Sequence, residues 1–340
     1  MKKYVNLFVF VFMIGACLSQ GRAQTKSAVS YKNPVVDIAM PDPTVIKAAD
    51  GYFYVYATES TSTVPIMKSK DLVEWTYCNT AFTNKTRPRF EPKAGIWAPD
   101  INYINGKYVL YYAMSVWGGE QTCGIGVATA NSPQGPFTDH GKMFRSNEIG
   151  VQNSIDPSLL QYEGRNYLVW GSFRGIYVIE LTADGLSIMS GAKKKRIAGT
   201  AFEAVYIHKH GDYYYMFASI GSCCQGVKST YKVVVGRSKK VWGPYKDKTG
   251  KPMLKNGYSL VIGANDHFVG NGHGSQIIQD DAGQDWLLYH GFSRSTPENG
   301  RILLLDQIKW DQEGWPYVEG GSPSYLSLIH ISEPTRPISI

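Results

Sequence analysis

Short runs of apolar and aromatic residues, broken by Gly-containing turns, dominate this chain, and no stretch of a dozen residues carries sustained helical periodicity. The runs predict strands. One pattern recurs five times: an acidic or His residue, a short apolar strand, a turn with Gly, then an aromatic strand. The copies start at Asp42, Asp100, Asp156, Glu203 and His273, and their turns are Asp50-Gly51, Asn105-Gly106, Glu163-Gly164, His210-Gly211 and Ala282-Gly283. Asp-Gly and Asn-Gly between apolar runs are strong hairpin signals, because both turn residues must reach positive φ.

A second strand pair comes after the hairpin in the clearest copies. It is read at Pro65–Ser69 with Asp71–Trp75, at Ile125–Thr129 with Gly135–Phe137, and at Val233–Arg237 with Gly243–Tyr245. Four strands per copy and five copies predict an all-β, five-bladed β-propeller spanning residues 30–322. A β-sandwich would explain the strands but not the recurrence. The last blade strands are expected at Arg301–Trp310 and Gly314–Val318.

Both ends fall outside this pattern. Met1-Lys2-Lys3 followed by the apolar run from Val5 to Leu18 has the shape of a secretory signal peptide, expected to span residues 1–23. A periplasmic or secreted protein is therefore expected. The alternative is an outer-membrane lipoprotein anchored through Cys17, because Ile14-Gly15-Ala16-Cys17 forms a lipoprotein box. No second stretch is long and apolar enough to span a membrane. From Ser327 the chain resembles translated sequencing-adapter DNA, so residues 327–340 are read as a non-native tail and excluded from fold reasoning.

Composition supplies a core and withholds some functions. The 340 residues are 43% hydrophobic and 19% charged, which excludes a disordered chain. The formal charge of +7 is scattered, not striped, so no nucleic-acid partner is expected. A monomer is expected. The 23 Tyr residues suit strands and supply flat surfaces on which sugars stack. With Cys17 gone, Cys78, Cys123, Cys223 and Cys224 have no zinc-site spacing, and the adjacent pair is either a vicinal disulfide or two thiols.

The first strand of each propeller blade lines the axis, so the five leading residues should converge on one mouth of the channel. Carboxylates crowded in a shielded pocket have pKa values driven apart. Glycoside hydrolysis needs that difference: one carboxyl protonated to donate, another ionised to activate water.

Asp42-Pro43-Thr44, Trp97-Ala98-Pro99-Asp100, Ser154-Ile155-Asp156-Pro157, Phe202-Glu203-Ala204, Gly272-His273-Gly274 and the segment from Cys223 to Tyr245 resemble, in order and spacing, glycoside hydrolase family 43 and its arabinan endo-1,5-α-L-arabinanases. The resemblance covers roughly residues 33 to 320. It implies an inverting enzyme acting on plant cell-wall arabinan, with Asp42 as general base, Glu203 as general acid and Asp156 tuning and orienting the acid. It further implies that Trp97 stacks on a sugar, that Asp100 borders the substrate with a mainly structural role, and that Phe173 or Trp117 walls the cleft. His273 matches a histidine facing an axial calcium ion, held largely through waters; a buried, hydrogen-bonded His is the alternative, since calcium prefers oxygen. Two positions depart from the pattern: Pro41 stands where His usually precedes the base, and Val205 where Pro usually follows Glu-Ala. Exo-acting α-L-arabinofuranosidase or β-xylosidase activity is the alternative on the same fold. A non-catalytic sugar-binding propeller would have no reason to keep all three acids.

Overall fold

The computed structural model describes Met1 and residues 26–332; the signal segment and Cys17 lie outside the described residues. Five antiparallel sheets succeed one another along the chain, each in simple meander order. Blade 1 runs Thr44–Lys47, Phe53–Tyr56, Pro65–Ser69 and Thr76–Thr80. Blade 2 is Gly95–Ile104, Lys107–Ser115, Gly124–Ala130 and Thr138–Arg145. Blade 3 is Ser158–Tyr162, Arg165–Trp170, Ile176–Glu180 and Lys195–Ala198, and blade 4 is Glu203–His210, Tyr213–Ile220, Lys232–Ser238 and Ser259–Ile262. Blade 5 is Phe268–Gly272, Asp285–Ser293, Ile302–Trp310 and Pro316–Tyr317, with the short strand Ile278–Gln279 also paired to Asp285–Ser293. The propeller expected from the repeats is the architecture found.

Alternation explains why the strands are apolar on both faces. In Phe53–Tyr56, Phe53 and Val55 pack toward blade 5 while Tyr54 and Tyr56 pack toward blade 2. Every blade repeats this, so the core is divided into five interblade clusters. Trp170, fully buried, belongs to the cluster between blades 2 and 3. The ring is closed by residues before blade 1: Val36 pairs with Leu303, and the Asn33 side chain both donates to the Leu305 carbonyl (2.9 Å) and accepts the Leu305 N–H (2.9 Å).

Three of the expected fourth strands shift. Asp71–Trp75 is a turn: Asp71 Oδ1 accepts the N–H groups of Val73 (2.9 Å) and Glu74 (2.8 Å), which diverts the backbone from a ladder until Thr76. Gly135–Phe137 likewise leads into its fourth strand, and Gly243–Tyr245 lies well ahead of Ser259–Ile262. In the segment set aside as a tail, Leu326–Ser332 pairs with Lys26–Lys32. Backbone pairing needs only N–H and C=O groups, which the absence of a repeat motif does not remove.

The repeats share a backbone device that the residue pattern conceals. Asp42, Ala98, Asp156, Ala204 and His273 each take positive φ, between 41° and 56°, where the chain turns into an inner strand. By this measure Asp42, Asp156 and His273 are equivalent, but Asp100 lies two positions deeper than its assumed counterparts and Glu203 one position before.

Candidate active site

One mouth of the channel opens into a cleft of about 680 Å³ whose floor carries Asp42, Asp156, Glu203 and His273. The left-handed turns put them there: each carboxyl leaves the backbone where the chain stops being mouth loop and becomes inner strand. The cost of a non-Gly residue at positive φ, on the order of 1 kcal/mol each, is offset by the ring packed around it.

Asp42 is the most heavily tied. Its Oδ1 receives Arg301 (2.7 Å) and His273 Nδ1 (3.2 Å), and its Oδ2 accepts the Thr58 hydroxyl (2.6 Å). Burial alone would raise its pKa, but the charges of Arg301 and then His273 hold the carboxyl well below the usual range. His290 Nδ1 accepts the Asp42 N–H (3.1 Å), so this ring carries its proton on Nε2. Burial and then Arg301 lower the His290 pKa, consistent with the neutral ring. Burial lowers His273 too, yet Asp42, Asp156 and Glu203 raise it overall.

Glu203 has the opposite setting. Burial and then the charge of Asp156 raise its carboxyl, against hydrogen bonds from Ser172 (2.6 Å) and Tyr231. Asp156 is itself raised, chiefly by burial, and accepts the Ala204 N–H at 3.1 Å. That bond ties Asp156 to the residue after Glu203.

Trp97, Phe173 and Trp117 line the cleft. Trp117 is 78% exposed and sits 5.5 Å from Trp97, which gives the rim an aromatic shelf. Glu120 and Arg174 form a two-bond ion pair at the rim (3.0 and 2.9 Å). Cys223 and Cys224, joined in a vicinal disulfide, form part of the facing wall.

Asp100 is not a cleft residue. Starting two positions deeper, it is buried below the mouth, where its carboxylate accepts Gln276 Nε2 (2.5 Å), Asn102 Nδ2 (2.7 Å) and the Leu159 N–H (2.7 Å). With the Thr44 hydroxyl as a further donor (3.5 Å), it ties blades 1, 2, 3 and 5 together and lies outside the lining of the cleft. Beside it lies a cavity of about 20 Å³, bounded also by Thr44, His273 and Gln276, with room for about one water or ion. Calcium takes six to eight oxygens. With Asp100 committed to four donors, Thr44 included, raised by burial to about 7, and His273 turned to Asp42, these residues do not supply a calcium shell of protein ligands.

Arg301, His290, Thr58, Ser172 and Tyr231 were missed by residue reasoning. A signal for two of them exists. The second strand of each blade ends near a hydroxyl: Thr58, Ser115, Ser172, Ser219 and Ser293. Thr58 serves Asp42, Ser172 serves Glu203, and Ser219 accepts the His273 N–H at 2.8 Å.

Comparison with known proteins agrees with this arrangement. The family model described as Glycosyl hydrolases family 43 matches residues 31–316. The chain is 37% identical to the extracellular exo-α-(1→5)-L-arabinofuranosidase of Cellvibrio japonicus, over 84% of this chain and 88% of that protein. It is 36% identical to the extracellular endo-α-(1→5)-L-arabinanase 1 of Bacillus subtilis, over 81% and 86%. The structure of Cellvibrio cellulosa α-L-arabinanase complexed with arabinohexaose superposes with a TM-score of 0.76 at 34% identity, covering 85% of this chain and 98% of that one.

Proposed function

This chain belongs to glycosyl hydrolase family 43, and from that premise we propose that it cleaves α-1,5-linked L-arabinan internally, with inversion, using Asp42 as base and Glu203 as acid. The observation that carries the reading is the opposite electrostatic setting of two buried carboxyls at one mouth. Asp42 is held ionised by Arg301, and Glu203 is held protonated toward neutral pH by burial and Asp156.

In this mechanism the glycosidic bond lies across the cleft floor. Glu203 gives its proton to the departing oxygen as the C–O bond breaks, and Ser172 and Tyr231 receive the new carboxylate with ready hydrogen bonds. Asp42 takes a proton from water as that oxygen bonds to the anomeric carbon from the opposite face. Inversion requires space for this water between base and sugar, about 6.5–9.5 Å between the two carboxyls. Asp156 touches Glu203 by charge and by the Ala204 N–H, so it sets the acid's pKa and position. Protons then exchange with solvent through the open cleft.

Exo action on the same linkage is the second reading, favoured by the 37% identity to the Cellvibrio japonicus exo enzyme. The signal-like N-terminus and the extracellular relatives support export, and no helix among the described residues is long and apolar enough to cross a membrane.

Incubation with debranched linear arabinan, with products resolved by size over time, tests the reading. Early release of mixed oligosaccharides is expected. Monosaccharide alone from the start would move the enzyme to the exo class. Inactivity on arabinan and on aryl arabinofuranosides would refute the proposal.

A further inference from the structure

At the far end of the inner strand of blade 4 from Glu203 lies a second cluster, one the hydrolytic site does not use. His208 and His210 are two apart on Glu203–His210, so both imidazoles project from the same face of the sheet. Asp285, at the start of the second strand of blade 5, closes the group: one ligand atom from each of the three residues lies within 4.8 Å of the others. At about 3.3 Å of rise per residue the two histidines stand about 17 and 23 Å along the strand from Glu203.

We propose that His208, His210 and Asp285 bind one borderline divalent cation of the zinc class, fastening blade 4 to blade 5. The donor set selects the ion, since two imidazoles and one carboxylate suit zinc and its neighbours, whereas calcium and magnesium require mostly oxygen. The surroundings are those of an oriented ligand set. Asp285 is buried, and its two oxygens are aimed by hydrogen bonds from Trp310 Nε1 (2.8 Å) and Gln279 Nε2 (3.0 Å). His210 lies flat on Trp310, with ring centroids 3.7 Å apart and planes 8° apart, and its Nδ1 points to Asp285 Oδ2 at 3.9 Å. His208 lies 6.0 Å from the same indole, also nearly parallel. Among the described residues no hydrogen bond shorter than 3.5 Å occupies either imidazole.

Zinc–nitrogen bonds of about 2.0–2.1 Å in a tetrahedron place ligand atoms about 3.3 Å apart. Small rotations of two partly exposed imidazoles bring the cluster to that spacing, with water as fourth ligand. The ion would add a metal tie between two blades already joined here by packing, by the Tyr215–Gly314 and Arg237–Glu313 hydrogen bonds and by the Lys248–Asp311 ion pair.

The test uses the full exported chain without a histidine tag, stripped with chelator, then dialysed against zinc chloride and, separately, cobalt chloride. One equivalent of zinc bound at micromolar free metal, a raised unfolding midpoint, and the visible bands of four-coordinate cobalt are expected. His210→Phe keeps the stack on Trp310 and removes the ligand; Asp285→Asn keeps an acceptor for the indole. Each is expected to weaken zinc binding at least tenfold and abolish the cobalt bands, while Glu203→Gln leaves both unchanged. Failure of the wild type to take up stoichiometric zinc would overturn the proposal. So would unchanged binding in both folded variants, or loss of binding in Glu203→Gln.

Discussion

Arg301→Gln isolates the electrostatic argument on which the hydrolytic reading depends. Arg301 donates to Asp42 at 2.7 Å and is the strongest influence opposing the burial of that carboxyl. Charge centres about 4 Å apart interact by about 4 kcal/mol at an effective dielectric of about 20. Divided by about 1.4 kcal/mol per unit, that is an upper bound of about three pKa units. His273 remains beside Asp42 and takes up part of the loss, so a rise of about one to two units is expected. The sign comes from the base's role. Ionised Asp42 is the active form, so the acid limb of kcat/KM against pH moves upward and activity is lost at acid pH where the wild type retains it. Arg301 also lowers Asp156; a more protonated Asp156 repels the Glu203 charge less, so the alkaline limb stays in place or drifts slightly down. The profile should therefore narrow from its acid side. Arg301→Lys, which keeps the charge without the planar fork, should recover part of the shift. The assay is initial rate on an aryl arabinofuranoside across pH, with folding checked by circular dichroism. An acid limb coincident with wild type in a folded Arg301→Gln, in an enzyme that Asp42→Asn inactivates, would refute the reasoning.

Other outcomes rest on the same contacts. The alkaline limb of kcat/KM should report Glu203 near its raised pKa of about 7, and Asp156→Asn should move that limb downward by removing a negative neighbour, read from the same pH series. Glu203→Gln should lower turnover of arabinan by about 10²–10⁴-fold, and by less for aryl substrates whose leaving group needs no proton, measured as kcat for both. Trp117→Ala should raise KM on polymeric arabinan about tenfold with kcat little changed, because the exposed indole contributes stacking of about 1–2 kcal/mol remote from the acids. Trp170→Ala should cost about 3–5 kcal/mol of stability in a denaturant titration by leaving a cavity between blades 2 and 3.

The sequence carried the blades because strand periodicity, turn chemistry and repetition are local properties. Asn105-Gly106 and Tyr108–Ser115 announce a hairpin whatever surrounds them. It carried the convergence of Asp42, Asp156 and Glu203 on one cleft because acids recur within a residue of one place in the pattern. It misplaced Asp100 because like residue was aligned with like residue, whereas the repeated feature is a left-handed turn occupied in blade 2 by Ala98. An alanine announces no chemistry, so the register slipped by two. Arg301 and His290 were invisible for another reason. Their roles depend on facing Asp42 across some 250 residues of chain, and no spacing within blade 5 encodes that meeting. The aromatic shelf lies between these cases: Trp97 sits in a recognisable motif, but only the folded rim sets Trp117 against it.

The five left-handed turns divide the molecule's inheritance in two. On the mouth side of each turn the chain is rim, free to lengthen, shorten or be replaced; on the strand side it is a wedge whose shape the neighbouring wedges dictate. The cleft carboxyls sit on the boundary and take their positions from the wedges, so a lineage can rewrite what the rim meets while these carboxyls keep their places. Diversification on this ring should therefore proceed by insertion and exchange of mouth loops, with the proton-transfer chemistry handed down unchanged.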